Sequence, residues 1–359
     1  MMADSSSKTG ASKIESFGFT GADMEPEANI EAWRTAVATL FDVDQLGRGE
    51  PGPFRADLES YAIGPILIGK TRFSAQHFSR SLEVVARSGV DHVIMQLYLA
   101  GGYQGVAGDD PIQVGPGDIC VFDLANTLDT LAIASEVITL VLPRVMVEAR
   151  LPQADVLHGL VLPTESALSS LLGRHLIALL DLASQMSYDE CAAAAEGTVA
   201  LALACLQGEM ERRDALAAGP QTLSLFRIRR HIDQRLAAPD LTADTVAAAF
   251  GMSRATLYRL FAPLGGVVEY IRARRLHRAF LDLAQPGARV SEVARRWRFA
   301  SEASFARAFK AAYGISPSAA RVVTAQNPLR AGSAGEIAPA LSRWMRDLAQ
   351  PGAAGKTKS

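Results

Sequence analysis

Residues 251–261 read GMSRATLYRLF, and residues 301–309 read SEASFARAF. With Ser253 set over Ser301, both runs give Ser, any residue, Ala, Thr or Ser, Leu or Phe, any residue, Arg, any residue, Phe. On a helix turning about 100° per residue, Leu257, Leu260 and Phe261 share one side of the first run. Ala255 and Arg259 lie opposite, flanked by Thr256 and Tyr258. In the second run Phe305, Ala308 and Phe309 form the buried side. Ala303, Arg307 and Lys310 lie opposite, flanked by Ser304 and Ala306. A small residue lets a backbone approach a groove, and an alanine methyl can touch a thymine methyl. An arginine can grip guanine O6 and N7 as a fork, or clamp a phosphate. The candidate DNA-reading set is therefore Ser253, Arg254, Ala255, Thr256, Tyr258 and Arg259, with Ser301, Ala303, Ser304, Arg307 and Lys310. One such helix is matched by any amphipathic surface helix. Two in register are harder to attribute to core packing alone.

Each run has a prelude that would hold it. LTADTVAAAF (241–250) reads as a short helix capped by Thr242, and GMS turns into Ser253, a second cap. VSEVARRWRF (290–299) is the matching first helix, with Ser291 as its expected cap, and FAS turns into the second run. Helix, tight turn, helix with outward polar groups is the helix-turn-helix plan. Between the two pairs, VVEYIRARRLHRAFLDLA (267–284) reads as one helix. Its 18 residues span roughly 27 Å, near the roughly 34 Å of one DNA turn, so it would serve as a strut between two reading helices. Its Arg272, Arg274, Arg275 and Arg278 are expected to be partly solvated and partly close to phosphates.

The runs VAAAFGMSRATLYRLF, YIRARRL and VSEVARRWRFASEASFARAFKAAYGISPSAAR resemble the DNA-binding domain of AraC/XylS-type bacterial transcription regulators. The resemblance covers about a hundred residues and is closest over the second block, through Phe309-Lys310 and Tyr313-Gly314-Ile315-Ser316-Pro317. It implies that each recognition helix reads a major groove, through Ala255, Thr256 and Arg259 and through Ala303, Ser304 and Arg307. Two departures stand out. Arg298 occupies a place where the family has glycine, so a turn needing positive φ would be strained there. Ala262-Pro263-Leu264-Gly265-Gly266 is shorter than the family's loop, which affects the angle between the first reading helix and the strut.

Charge divides the chain the same way. Residues 221–322 hold 17 Lys and Arg against seven Asp and Glu, although the whole chain of 359 residues has a net charge of −2. A basic unit on an acidic body suits a protein of which one part meets a polyanion. Cys120, Cys191 and Cys205 lie far apart without metal-site or disulfide spacing, pointing to a reducing compartment. The polar N-terminus lacks a signal-peptide core, and no uninterrupted apolar run appears long enough for a membrane span. A cytoplasmic protein without membrane contact is expected.

From Phe54 to about Leu142, short β-rich runs with glycine punctuation suggest a small barrel or sandwich. Asp118 in GPGD reads as a turn residue. This half is similar, more loosely, to the cupin-like sensory domains that precede such DNA-binding modules. A metal-dependent cupin would need clustered ligands. His77 and His92 are isolated and Asp123 is a lone acid, so neither metal nor cofactor is expected. Over 165–213 two seams, Leu172-His175-Leu179-Leu182-Met186 and Val199-Leu203-Leu206-Met210, predict an antiparallel helical hairpin. It packs on the barrel, or pairs in part with a second copy of the chain.

The expected fold is α+β multidomain: an N-terminal cupin-like β-barrel with a helical hairpin, and a C-terminal all-α double helix-turn-helix. The expected divisions are an unstructured segment 1–27, a sensory and dimerisation domain 28–215, a DNA-binding domain 221–322 and a tail 323–359 with a short helix carrying Ile337, Leu341, Trp344, Met345 and Leu348. The expected partners are promoter DNA, RNA polymerase, a small-molecule effector and a second copy of the chain. Two alternatives stay open: a constitutive DNA-binding regulator without ligand, and a cupin-type enzyme fused to a DNA-binding module.

Overall fold

Alternation along the strands builds the first half. In β4 (Ile66–Phe73), Ile66 and Ile68 join one buried cluster while Leu67 and Phe73 join another, so the strand is covered on both faces. The structure is a computed structural model and describes residues 14–88, 90–151, 157–216, 222–284 and 287–320. Its strands form two antiparallel sheets. The larger contains β1 (Ser16–Phe19), β3 (Ala56–Ile63), β4, β11 (Ser135–Leu142), β6 (Val93–Ala100), β9 (Ile119–Asp123) and β12 (Leu160–Leu162), side by side in that order. The smaller contains β2 (Asp42–Asp44), β5 (Gln76–Arg80), β10 (Leu128–Ala132), β7 (Tyr103–Ala107) and β8 (Asp110–Val114), in that order. In GPGD, Gly117 takes φ +88°, and Asp118 accepts hydrogen bonds from the Gly115 and Thr164 amides at 3.0 and 3.2 Å. Asp118 is thus a turn residue.

Residues 14–27, expected to lack structure, do not. β1 pairs with β3, and α1 (Pro26–Val37) follows with Pro26 at its start. The signal was Trp33, an apolar anchor downstream of a polar segment. It is 2% exposed, stacks on Phe73 at 5.6 Å and donates its indole N–H to Gln76 Oε1 at 2.7 Å. The expected helix at 337–348 lies outside the described residues.

Two short helices leave the barrel, α2 (Leu82–Ser88) and α3 (Arg144–Glu148). Each is tied back by a buried arginine. Arg80 donates to the carbonyls of Leu40 at 2.6 Å and Val90 at 3.1 Å, to Ser88 Oγ at 3.1 Å and to the Leu124 carbonyl. Arg144 binds Asp123 and donates to the Asp91 carbonyl at 3.0 Å. Burying a guanidinium is tolerable only when its donors are met in this way.

The hairpin is α4 (Ala167–Ala183) and α5 (Tyr188–Leu216). Leu172, Leu176 and Leu179 of α4 pack with Val199, Leu203, Leu206 and Met210 of α5 over the large sheet. Leu182, expected in the seam, is exposed, and His175 accepts or donates one hydrogen bond to Thr198 Oγ1 at 2.7 Å. Length and composition would let Tyr188–Arg213, of mean hydropathy 1.4, cross a bilayer, which the sequence expectation had not foreseen. Its inner side belongs to the protein core instead.

The three cysteines are free and buried, and burial pushes Cys120 up to about 12 and Cys205 to about 11. His77 sits between two strands' carboxylates, 2.8 Å from Asp44 and 3.0 Å from Asp129. Burial works to lower its pKa, but the hydrogen bonds that it donates to Asp129 and Asp44 outweigh it and the net shift is upward from 6.5. The raised pKa means that this clamp stabilises the fold below pH 6.5, and the contribution fades as pH rises through the folded-state value. Because the acids are exposed, the effect should stay below about 1 kcal/mol. Urea melts across pH 6 to 8.5 should therefore slope downward in the wild type and less in His77→Gln.

Candidate nucleic-acid interface

The second half is helical: α6 (Thr222–Gln234), α7 (Ala243–Ala249), α8 (Arg254–Phe261), α9 (Val267–Ala284), α10 (Val290–Arg296) and α11 (Glu302–Tyr313). Two clusters organise it. Ile228, Ile232, Val246, Leu257, Phe261, Val267 and Ile271 make the core of a first unit. Leu276, Phe280, Leu283, Val293, Phe305 and Phe309 make that of a second. Trp297 packs against both and donates its indole N–H to Asp282 at 2.9 Å.

Caps start the reading helices. Thr242 and Thr245 form a capping box ahead of α7, and Ser301 and Ser304 another ahead of α11. Ser253 Oγ accepts from the Thr256 amide at 3.1 Å and shares a hydrogen bond with Thr256 Oγ1 at 2.9 Å. Each such cap is worth about 1 kcal/mol. Ser291 does not cap α10. That helix starts at Val290 behind Arg289, which makes no side-chain cap, so Ser291 lies within the first turn.

The outward residues of the two runs are placed as follows. On α8, Leu257 and Phe261 are fully buried, Thr256 and Leu260 half-buried, and Ser253, Arg254, Ala255, Tyr258 and Arg259 exposed. On α11, Phe305, Ala308 and Phe309 are buried, Ser304 and Ala306 half-buried, and Ser301, Ala303, Arg307 and Lys310 exposed. Arg254 differs from the other cations of the set. It pairs with Asp244 of α7 at 3.1 Å and lies over the Tyr258 ring at 6.0 Å.

Most basic side chains of this half answer to the protein's own acids or carbonyls. Arg274 is bound by buried Asp233 of α6 at 2.8 Å. Arg275 donates to the Leu236 carbonyl at 2.9 Å, and burial holds its pKa below the usual value. Arg278 meets Glu148 of the barrel domain at 3.0 Å, and Arg229 meets Asp110 at 2.8 Å. Of the strut's four arginines only Arg272 is exposed, and it leans on Glu269 at 3.3 Å. The strut's arginines, expected partly in solvent and partly near phosphates, are thus mostly turned toward the protein. Among the described residues, Arg259, Arg307 and Lys310 are exposed cations with no acidic partner. The sequence, helical in pattern across 221–322, did not single out α6 as the partner of the strut's arginines, although its lone Asp233 among arginines was the available signal. It had no signal for Glu148 or Asp110, which lie over a hundred residues from their partners.

The two turns differ. Gly251 takes φ +60° and Arg298 takes φ +64°, and the next residue's amide reaches back to a carbonyl in each case: Met252 to Ala247, Phe299 to Ala294, both at 3.0 Å. The position needs the left-handed region, and Arg298 occupies it under strain. One residue separates Gly251 from its cap Ser253, and two separate Arg298 from Ser301. The strained residue's side chain donates to the Ala237 carbonyl at 2.6 Å. At the short loop, Ala262–Leu264 form a 3-10 turn and Gly265 and Gly266 take φ +74° and +97° before α9.

A two-stack β-barrel with a helical hairpin, followed by paired helix-turn-helix units on one strut, is the architecture of a transcription regulator with a separate DNA-binding domain. A family model for an AraC-binding-like domain matches residues 33–207, and one for a helix-turn-helix domain matches 246–322. The chain belongs to the AraC/XylS family of transcription regulators. The transcriptional activator NphR of Rhodococcus sp is 25% identical over 291 residues, 79% of this chain and 86% of the relative. The HTH-type transcriptional activator AarP of Providencia stuartii is 38% identical over 84 residues, 23% of this chain and 62% of AarP. The crystal structure of the AraC-like transcriptional activator CuxR is 26% identical, with 75% of this chain and 95% of that one covered and a TM-score of 0.49.

The strain at Arg298 can be read from two substitutions. Glycine normally destabilises a folded chain relative to alanine, but here Arg298→Gly should be more stable than Arg298→Ala by about 1 kcal/mol in chemical melts. Alanine more stable than glycine would show that the turn is relaxed.

Proposed function

We propose that α8 and α11 read successive major grooves of promoter DNA, with Ser253, Arg254, Ala255, Thr256, Tyr258 and Arg259 on one side and Ser301, Ala303, Ser304, Arg307 and Lys310 on the other. The observation that carries this reading is that Arg259 and Arg307 stay exposed and unpaired among the described residues while most neighbouring arginines are held. An unpaired guanidinium beside a small residue and a capped helix start suits base-edge contact. In Arg259→Ala or Arg307→Ala, specific affinity should fall by about 1–3 kcal/mol with relaxed preference at one base position. Binding selected from random DNA measures this, and full retention of preference in both variants would sink the assignment.

The protein acts as an activator, the word that the names of NphR and AarP carry. It works in the cytoplasm, where it presents RNA polymerase with a bound neighbour. It works as a homodimer through the hairpin. Leu168, Leu171, Ala178 and Leu182 leave an exposed apolar row on α4, beside the exposed small residues Ala193, Gly197, Ala200 and Ala204 of α5. Small residues let a second hairpin approach closely, and the row is spaced for helix packing. In Leu171→Glu, light scattering should report monomers at concentrations where the wild type is dimeric.

An effector enters between the sheets. A cavity of about 80 Å3 lies under Trp33, Phe41, Phe73 and Phe78, with Ser60, Thr71, Gln96 and Thr139 in its wall. The walls are apolar with a few polar groups, as in ligand sites, but the free volume is below the roughly 300 Å3 of such sites, so an organic effector would enter by moving the aromatic side chains. The second reading, a regulator without effector, is favoured by the small free volume of this cavity. Two of the residues weighed as metal ligands have other work: His77 is clamped by two aspartates and Asp123 is bound to Arg144.

A further inference from the structure

We propose that Glu148 is a positioning residue for DNA binding, which locks the double helix-turn-helix domain onto the barrel domain through Arg278. The proposal rests on the reading that α8 and α11 bind DNA and that the chain dimerises through α4 and α5.

Glu148 stands at the end of α3, and its Oε1 accepts from two guanidinium groups, Arg144 at 3.1 Å and Arg278 at 3.0 Å. Arg144 is 8% exposed and reaches inward to Asp123 of β9, which is fully buried, and sideways to Asp91. Negative and positive groups therefore alternate from the barrel wall to the strut: Asp123, Arg144, Glu148, Arg278. Such a row is coherent because each inner charge is neutralised on both sides, and partial burial makes each contact stronger than a surface pair. Arg144 is needed by the barrel whatever the second domain does. Glu148 is the one member facing both domains.

Apolar contact accompanies the charges. Val85 of α2 and Ala125 after β9 are both buried in the same cluster as Phe280, Phe305 and Phe309. α2 and α3, which form this docking face, are the two helices pinned by the buried Arg80 and Arg144. The face is rigid before the second domain meets it. The docked arrangement leaves Ala303, Arg307 and Lys310 exposed, so it aims α11 without covering it. In a dimer joined at the hairpins, a fixed angle between barrel and DNA-binding domain becomes a fixed distance between two DNA-binding domains. That distance selects the spacing of half-sites.

The test uses the full chain as wild type, Glu148→Gln, Arg278→Gln and the double variant, each checked for folding by circular dichroism. Small-angle scattering reads domain docking. Affinity is then measured for the selected DNA site with its half-sites moved apart one base pair at a time. Losing simultaneous engagement should cost the wild type roughly a hundredfold on misspaced sites. Each single variant should have a larger radius of gyration and lose only about tenfold on those sites, with base preference inside each half-site intact. The double variant should be no worse than the singles. Scattering and spacing profiles unchanged in both single variants would overturn the proposal. So would a double variant whose loss is the sum of two independent ones. An expanded Glu148→Gln protein that light scattering shows to be monomeric, as is the wild type, would keep the clamp and remove the dimer reading. An intact dimer with an unchanged radius would do the reverse.

Discussion

The side chains of α9 are shared between two hydrophobic cores, and the second half of the protein depends on that sharing. Val267 and Ile271 are buried with α6, α7 and α8, while Leu276, Ala279, Phe280 and Leu283 are buried with α10 and α11. A helix anchored at both ends by apolar burial cannot bend or slide without opening one core, and each large side chain contributes about 1.5–3 kcal/mol. The two helix-turn-helix units therefore have a fixed separation. Trp297, packed against both clusters, fills the space where they meet.

The electrostatics follow from the same packing. A strut buried along much of its length cannot offer all its arginines to solvent, so Arg274 is met by α6, Arg275 by a carbonyl just beyond α6, and Arg278 by the barrel domain. The net positive charge of this half overstates what is available to a polyanion. Exposed cations without acidic partners matter more than the total, and Arg259 and Arg307 are among them.

The helical half was largely legible because its signals are local. Caps, apolar periodicity and glycine punctuation act within one or two turns, and α9 runs from Val267 to Ala284 as its sequence reads. Ser291 misled because a serine one residue inside a helix start looks like a cap when Val290 can itself be helical. The strand half was legible as a class but not in its pairings. β11 lies between β4 and β6, and β10 between β5 and β7, arrangements that only long-range packing decides. The N-terminal segment was misjudged because β1 is only four residues long, follows a polar run and owes its order to pairing with β3. Nothing local marks Glu148 or Asp110 as partners of distant arginines.

Arg298 has a mechanical consequence. Its guanidinium reaches the Ala237 carbonyl just beyond α6, so the second unit's turn is tied to the first unit at a point away from the strut. A lone rod resists stretching yet allows one end to rotate about its long axis relative to the other. A second tie off that axis makes a truss, which resists torsion as well, and the angular phase between the two units is held along with their distance.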